Sequence, residues 1–107
     1  MTQSTAQNTL DLLILKTLAR GPNHGFGITV HIQNVSEGLL RIEEGSLYPA
    51  LHRLEREKAV TGEWKTSDNG RRARYYKLSA AGRKRLEEHE GQWRSLSAGV
   101  ARVLGVA

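Results

Sequence analysis

Apolar residues recur along the first half of the chain at the spacing of amphipathic helices. A first helix, capped at Asn8 or Thr9 and apolar around most of its circumference, is predicted to end at the Gly21-Pro22 pair. A second is predicted from about His24 to Val35, where apolar residues recur four and seven positions apart. Both helices are therefore expected to bury much of their surface in one core.

A third helix is predicted to begin near residues 44–46 and to reach about Lys58. Its start is fixed by Pro49, because proline is tolerated in the first turn of a helix and disfavoured beyond it. Ser46 fits as the N-cap, with Glu43 and Glu44 as alternatives. Its buried stripe is predicted to consist of Leu47, Leu51 and Leu54.

The hydrophobic pattern changes after the third helix. Residues 60–66 and 73–78 have the composition of two short strands, and the Asn-Gly pair within residues 67–70 favours a hairpin turn between them. Ser79 can cap a long final helix that reaches about Leu104. This helix has an apolar seam at heptad spacing, formed by Leu86, His89, Trp93, Leu96, Val100 and Val103.

The order of these elements predicts a mainly α fold with a small β-hairpin, a winged helix-turn-helix. We expect residues 1–78 to form the winged helix-turn-helix domain, with three helices and a two-stranded wing, and residues 79–107 to form a dimerisation helix. A chain this small cannot bury the heptad seam on its own core. The seam therefore predicts a homodimer.

Positive charge is concentrated in the carboxyl-terminal half. The chain has a net charge of +5, and residues 69–86 hold seven basic residues and no acidic one. Such a stretch attracts polyanions, nucleic acid first and acidic lipid second. A solvated basic surface without a partner is the alternative interpretation of charge taken alone.

The third helix and the hairpin carry the residue types that contact DNA. Arginine and histidine bind base edges or phosphates, and serine and tyrosine hydroxyls commonly bind phosphate. The outward face of the helix, opposite its leucine stripe, and its flanks are predicted to carry Ser46, Tyr48, Pro49, His52, Arg53 and Arg56. The wing is predicted to present Arg71, Arg72 and Arg74 together just after the turn. Solvated surface charge is again the alternative interpretation.

Three motifs in the same order resemble the PadR family of transcriptional regulators. Residues 24–28 (HGFGI) are similar to the second-helix signature of that family, and residues 45–55 (GSLYPALHRLE) to its recognition-helix motif. Arg71-Arg72 followed by residues 75–79 (YYKLS) and Gly82 resembles its wing. The resemblance spans roughly residues 8–104. Ala59-Val60 departs from the Gly-Leu or Gly-Ile usual there.

The resemblance implies a homodimeric repressor of the short subgroup, which has a single carboxyl-terminal dimerisation helix and binds a double-stranded DNA operator. Some short PadR-like proteins hold a planar aromatic effector against a tryptophan of the last helix, and Trp93 occupies the matching position. Packing of Trp93 in the dimer seam is the alternative. The other residues expected to line an effector cavity are Leu12, Leu15 and Leu96.

Several function classes are disfavoured. The chain has no cysteine, its histidines match no metal-ligand spacing, and it has no glycine-rich phosphate loop, so we expect no metal, no cofactor and no enzymatic activity. No apolar stretch approaches the length of a membrane span, and a cytoplasmic protein is expected. Two alternatives to a specific regulator stay open: a nonspecific nucleic-acid-binding winged-helix module, and a winged-helix protein-interaction module.

Overall fold

A computed structural model describes the backbone of residues 5–106 and the side chains from residue 7 onwards. The elements follow one another as α1 (Thr5–Leu18), β1 (Asn23–His24), α2 (Gly25–Val35), α3 (Glu44–Arg56), β2 (Val60–Thr66), β3 (Arg72–Leu78) and α4 (Ala80–Leu104). The mainly helical fold with its hairpin confirms the predicted fold class. The first helix begins earlier than predicted, since Thr5 already lies within it and neither Asn8 nor Thr9 caps it.

The core lies where the first three helices meet the base of the hairpin. Apolar side chains from each helix interdigitate there, and burial of each large one contributes about 1.5–3 kcal/mol. Tyr76 of β3 closes the core from the hairpin side. The other large side chains with almost no exposed surface are Ile14, Leu15, Leu18, Ile28, Leu47, Leu51, Leu54 and Val60.

The sheet has three antiparallel strands in the order β1-β3-β2, one more than the sequence predicts. The extra strand pairs Asn23 with Tyr76 and His24 with Tyr75. Two residues are too few to show the alternation by which strands are identified in a sequence. Their pairing joins the start of α2 directly to the hairpin.

The hairpin turn differs from a two-residue Asn-Gly turn. Ser67 donates its backbone N–H to the Arg71 carbonyl at 2.7 Å, and Gly70 donates to the Ser67 carbonyl at 2.9 Å. Gly70 adopts a φ of +82°, while Asn69 does not have a positive φ. This is a longer loop with one left-handed residue, which glycine supplies without strain. We refer to β2, β3 and residues 67–71 as the wing.

The two ends of α3 have unusual cap residues. Its N-cap is Glu43, one of the two alternatives to Ser46, and it makes no side-chain capping bond, so Pro49 lies inside the helix as its sixth residue. At the other end Lys58 has a φ of +63°, and Ala59 donates its N–H to the Leu54 carbonyl at 2.9 Å. Such a termination usually has glycine at the left-handed position.

The last helix, α4, is capped as predicted. The Ser79 hydroxyl accepts the N–H of Gly82 at 2.9 Å and donates to the Ala59 carbonyl at 2.8 Å. A Cβ on Gly82 would lie 2.0 Å from that same carbonyl oxygen, so only glycine allows α4 to begin this close to the start of β2. The helix then runs for 25 residues.

Candidate nucleic-acid interface

The outward face of α3 is open to solvent. Leu47, Leu51 and Leu54 turn into the core, which leaves the opposite face exposed. Of the residues predicted on or beside this face, five are exposed: Ser46, Tyr48, Pro49, His52 and Arg56. The face therefore carries one cation, a histidine and two hydroxyl groups that a ligand can reach.

Close contacts between α2 and α3 hold this face in position. The His24 Nδ1 atom accepts the Gly27 N–H at 3.0 Å and so caps α2. Gly25 lies against the ring of Tyr48, and a Cβ there would come within 2.7 Å of Tyr48 Cε1. Gly25 of the second-helix signature thus lets α2 pack tightly on α3.

Arg53 does not point outward as predicted. Its guanidinium reaches back to α1, where Nη2 donates to Asp11 Oδ1 at 2.6 Å, and its side chain is 16% exposed. Asp11 is fully buried, and its other oxygen, Oδ2, has no hydrogen-bond partner among the described residues. A buried carboxylate needs a countercharge, and this need turns the arginine inward.

Arg53 also takes part in a series of ion pairs that extends toward α4. Its Nη1 lies 3.5 Å from Glu57 Oε1, and the same oxygen accepts from Arg85 Nη1 at 2.6 Å. The hydrogen bond from Arg53 to Asp11 raises the pKa of Arg53, so this guanidinium stays charged. Arg53 thereby connects α1, α3 and α4.

The three arginines predicted on the wing differ in their contacts. Arg71 and Arg72 are exposed, and neither forms an ion pair with any described residue. Arg74 instead donates to Glu55 Oε2 at 2.5 Å, which ties the wing to α3 and raises the pKa of Arg74. Gly62 leaves room for this arginine, since a Cβ there would lie 2.7 Å from its Nε.

Two exposed aromatic residues were missed by the sequence analysis. Trp64 on β2 is 56% exposed and Phe26 on α2 is 66% exposed. Trp64 lies on the same strand face as buried Val60, so the alternation along the strand gives no sign that Trp64 is exposed. The wing extends beyond the helical body at this point, so the same face opens to solvent.

Trp64, Phe26 and Tyr48 line a cleft of about 370 Å³ between the wing and α3. We call it the wing cleft. Arg72 and Arg74 hold their guanidinium groups 5.3 and 5.8 Å from the centre of the Trp64 ring, within the range of a cation–π contact. The cleft thus combines aromatic walls with cations at its edge.

A second cleft of about 240 Å³ lies between α1 and the middle of α4. It includes Leu12, Trp93 and Leu96, three of the four residues predicted for an effector cavity. The fourth, Leu15, is fully buried in the core and does not line this cleft, so that prediction is wrong. Its other lining residues are Asn8, Thr9, His89 and Gln92.

The apolar side of α4 beyond this cleft is exposed. Leu86 was predicted in the seam. It is instead buried in the hydrophobic core of its own chain. His89 is half-buried beside the cleft. We call the remaining exposed members the α4 seam: Trp93, Leu96, Val100 and Val103.

Two other kinds of site have no counterpart within residues 5–106. Within that range no three histidine, cysteine or acidic side chains are arranged to hold a metal ion. The described helices include none with the length and apolar composition of a membrane span.

Comparison with known proteins gives a family. Residues 14–88 match the family described as "Transcriptional regulator PadR-like family". The transcriptional regulator Rv3488 from Mycobacterium tuberculosis is 39% identical over 77 residues, which cover 72% of this chain and 68% of that protein.

Solved structures of similar fold include a regulator of the same family. A PadR family transcriptional regulator from Eggerthella lenta has a TM-score of 0.77 at 30% identity, covering 94% of this chain and 86% of that one. A transcriptional regulator from Clostridium thermocellum has a TM-score of 0.83 at 23% identity, covering 94% and 97% of the two chains. The latter likeness shows the fold.

Proposed function

Because this chain belongs to the PadR-like family of transcriptional regulators, we propose that it is a homodimeric repressor of a two-fold symmetric DNA operator. Members of the family are regulators, so the chain is a transcriptional regulator and not an enzyme. The observation that carries the finer proposal is the pairing of an exposed, cationic α3 face with a basic wing on the same molecule.

The outward face of α3 enters the major groove in this proposal. His52 and Arg56 supply donors for base edges or phosphates, while the Ser46 and Tyr48 hydroxyls bind phosphate and Pro49 packs on the DNA. We define the recognition surface as these five residues together with Arg71 and Arg72 of the wing. The arginine pair contacts phosphates or a narrow minor groove beside the helix.

Arg53 and Arg74 take a different role. Their guanidinium groups are already bound to Asp11 and Glu55, so they position α3 and the wing rather than contact DNA. If Arg53 turned to DNA, it would leave the buried charge of Asp11 uncompensated. The seven remaining contacts form the proposed site.

The α4 seam provides the dimer contact. A row of exposed apolar side chains on one helix face is unfavourable in water, and a second copy of the same face covers it symmetrically. Residues 79–107 thus act as the dimerisation unit and residues 1–78 as the DNA-binding unit. Two copies would place two α3 helices about one DNA turn apart, roughly 34–36 Å.

We also propose that the cleft beside Trp93 receives a small planar aromatic effector that releases the operator. The indole offers a flat apolar face, with Leu12 and Leu96 beside it. Titration with a panel of planar aromatic compounds is expected to quench Trp93 emission. A Trp93→Phe variant, whose remaining tryptophan is Trp64, is the control that must not respond. Quenching that persists in this variant, or is absent throughout the panel, contradicts the effector site.

The test of the repressor proposal is DNA binding measured by fluorescence anisotropy. The purified chain is titrated onto the duplex upstream of its own gene and onto a random duplex of equal length, each at two salt concentrations. We expect selective binding of one dimer per site that survives the higher salt. Repeated selection from a library of random duplexes makes the result independent of where the operator lies in the genome.

Other outcomes support the alternatives. Equal binding to both duplexes that collapses with added salt would indicate a nonspecific nucleic-acid-binding module. A dimer with no affinity for any duplex would indicate a protein-interaction module.

A further inference from the structure

The wing cleft contains two aromatic side chains, Trp64 and Phe26, that the proposed contacts do not use. It lies between the exposed face of α3 on one side and Arg72 of the wing on the other. Its walls include the rings of Trp64, Phe26 and Tyr48, all exposed. Large apolar rings grouped on the surface of a small protein indicate a surface that a partner covers.

The position of the cleft indicates which part of the partner covers it. With α3 in the major groove and the wing at the neighbouring minor groove, the two elements lie on opposite sides of one sugar–phosphate strand. The space between them is the wing cleft. A strand of DNA held at both flanks therefore passes across its opening.

The chemistry of the cleft fits such a strand. A deoxyribose has an apolar face, which packs favourably against an aromatic ring, and each sugar is flanked by negatively charged phosphates. The Trp64 ring supplies the aromatic surface, and Arg72, 5.3 Å from it, supplies the adjacent cation. Charge complementarity favours DNA over an apolar partner, because the charged side chains that line the cleft, Arg72 and Arg74, are both cationic.

We propose that the wing cleft seats one sugar–phosphate strand of the duplex, with Trp64 packed on a deoxyribose and Arg72 paired with the next phosphate. This inference rests on the proposed function, since it requires that α3 and the wing bind duplex DNA. It adds an uncharged, sequence-independent contact to a site otherwise built from cations and hydrogen-bond donors. Trp64 then contributes affinity without contributing either base discrimination or salt dependence.

The first test compares salt titrations of three variants. Trp64→Ala is expected to weaken binding by about tenfold on operator and random duplex alike, with an unchanged slope of log K against log salt. Arg72→Ala is expected to flatten that slope by about 0.9. Leu39→Ala, which removes an exposed apolar side chain outside the cleft, is the matched control and is expected to bind as the wild type does.

The second test reads the tryptophan directly. Acrylamide quenching is measured for the wild type and for Trp64→Phe, each free and saturated with labelled duplex, and the difference between the two proteins gives the Trp64 signal. We expect duplex binding to lower the accessibility of Trp64 several-fold. Saturation is verified independently by the anisotropy of the labelled duplex.

Three results would overturn the inference. If the wild type and Trp64→Phe change alike on saturation, Trp64 stays uncovered in the complex. If Trp64→Ala flattens the salt slope, the ring acts only by holding Arg72. If Trp64→Ala binds both duplexes at full affinity, the ring makes no contact. Absence of any duplex binding by the wild type would instead refute the proposed function, and this inference with it.

Discussion

The tryptophan beside the recognition surface and the tryptophan in the α4 seam are exposed to similar extents, but their surroundings are opposite in character. Trp64, beside the recognition surface, is 56% exposed and has two guanidinium groups within 6 Å of its ring centre. Trp93, in the α4 seam, is 46% exposed and has Leu12 and Leu96 in its cleft. Exposure alone therefore does not identify a partner, whereas the charges around each ring do.

The difference also bears on when each surface is covered. Arginines of the recognition surface are well solvated in water, so this surface is stable without DNA and can bind and release it. The apolar row of the α4 seam has no such alternative to burial, and in the proposed dimer a second chain covers it at all times. One surface is suited to a reversible contact and the other to a permanent one.

The largest expected effect comes from placing a charge in the α4 seam. Leu96→Glu removes a buried leucine from each chain of the dimer, at about 1.5–3 kcal/mol per side chain, and buries carboxylates instead. The dimer dissociation constant is expected to rise by more than about a hundredfold, measured by sedimentation equilibrium. Ala98→Glu, on the opposite side of the same helix, is the control. If the two variants raise the dimer dissociation constant equally, the α4 seam is not the dimer contact.

The next effect tests which arginines belong to the recognition surface. Arg53→Met leaves Asp11 buried without its countercharge and is expected to lower the free energy of unfolding by about 3–5 kcal/mol. Adding Asp11→Leu is expected to restore most of that loss. Urea unfolding measures both.

Arg56→Met is the matched control for this pair. Arg56 is exposed on the same helix, so its loss is expected to leave stability unchanged and to weaken operator binding. If Arg53→Met keeps wild-type stability but loses operator selectivity, Arg53 belongs to the recognition surface after all.

A smaller effect concerns the wing cations. Arg71→Ala with Arg72→Ala removes two exposed charges from the recognition surface, and the slope of log K against log salt is expected to fall by about 1.8. The matched control removes two arginines of α4, Arg94→Ala with Arg102→Ala, and is expected to keep the slope. A similar fall in both double variants would mean that only net charge matters.

The smallest expected effect concerns Lys58, in the short connection (the joint) between α3 and the wing. Lys58→Gly relieves the left-handed conformation of Lys58 and is expected to stabilise the fold by up to about 1 kcal/mol. Lys58→Ala keeps the unfavourable φ and is the control. Thermal unfolding at one protein concentration compares them, and dimerisation is expected to stay unchanged, because the joint lies outside the α4 seam. Greater stability of both variants would trace the effect to the lost side chain.

Local signals in the sequence account for most of the fold. Ser79 predicted the start of α4 because a capping hydroxyl acts within three residues, and the leucine stripe of α3 gave its buried face for the same local reason. The pairing of β1 was not predictable, since two residues carry no period. The cap of α3 was left between Ser46 and the alternatives Glu43 and Glu44, because the actual cap, Glu43, makes no side-chain capping bond that would identify it.

The site was predicted less completely, because long side chains and partners distant in sequence decide it. Helical geometry placed the Cβ of Arg53 outward, but the acceptor of its guanidinium lies 42 residues away. Arg74 is likewise held by Glu55, 19 residues away. For Leu86, a heptad pattern does not distinguish burial within one chain from burial between two.

In the proposed dimer, the uninterrupted run of α4 makes this helix a stiff connection between the two DNA-binding units. Its 25 residues span about 37 Å at 1.5 Å per residue, and the described helix contains no break that would act as a hinge. In a dimer joined through this helix, a tilt of about 5° over its full length moves the far end by about 3 Å, close to the 3.4 Å rise of one base step. In that dimer, a rotation this small is enough to put the second DNA-binding unit out of register with its half-site.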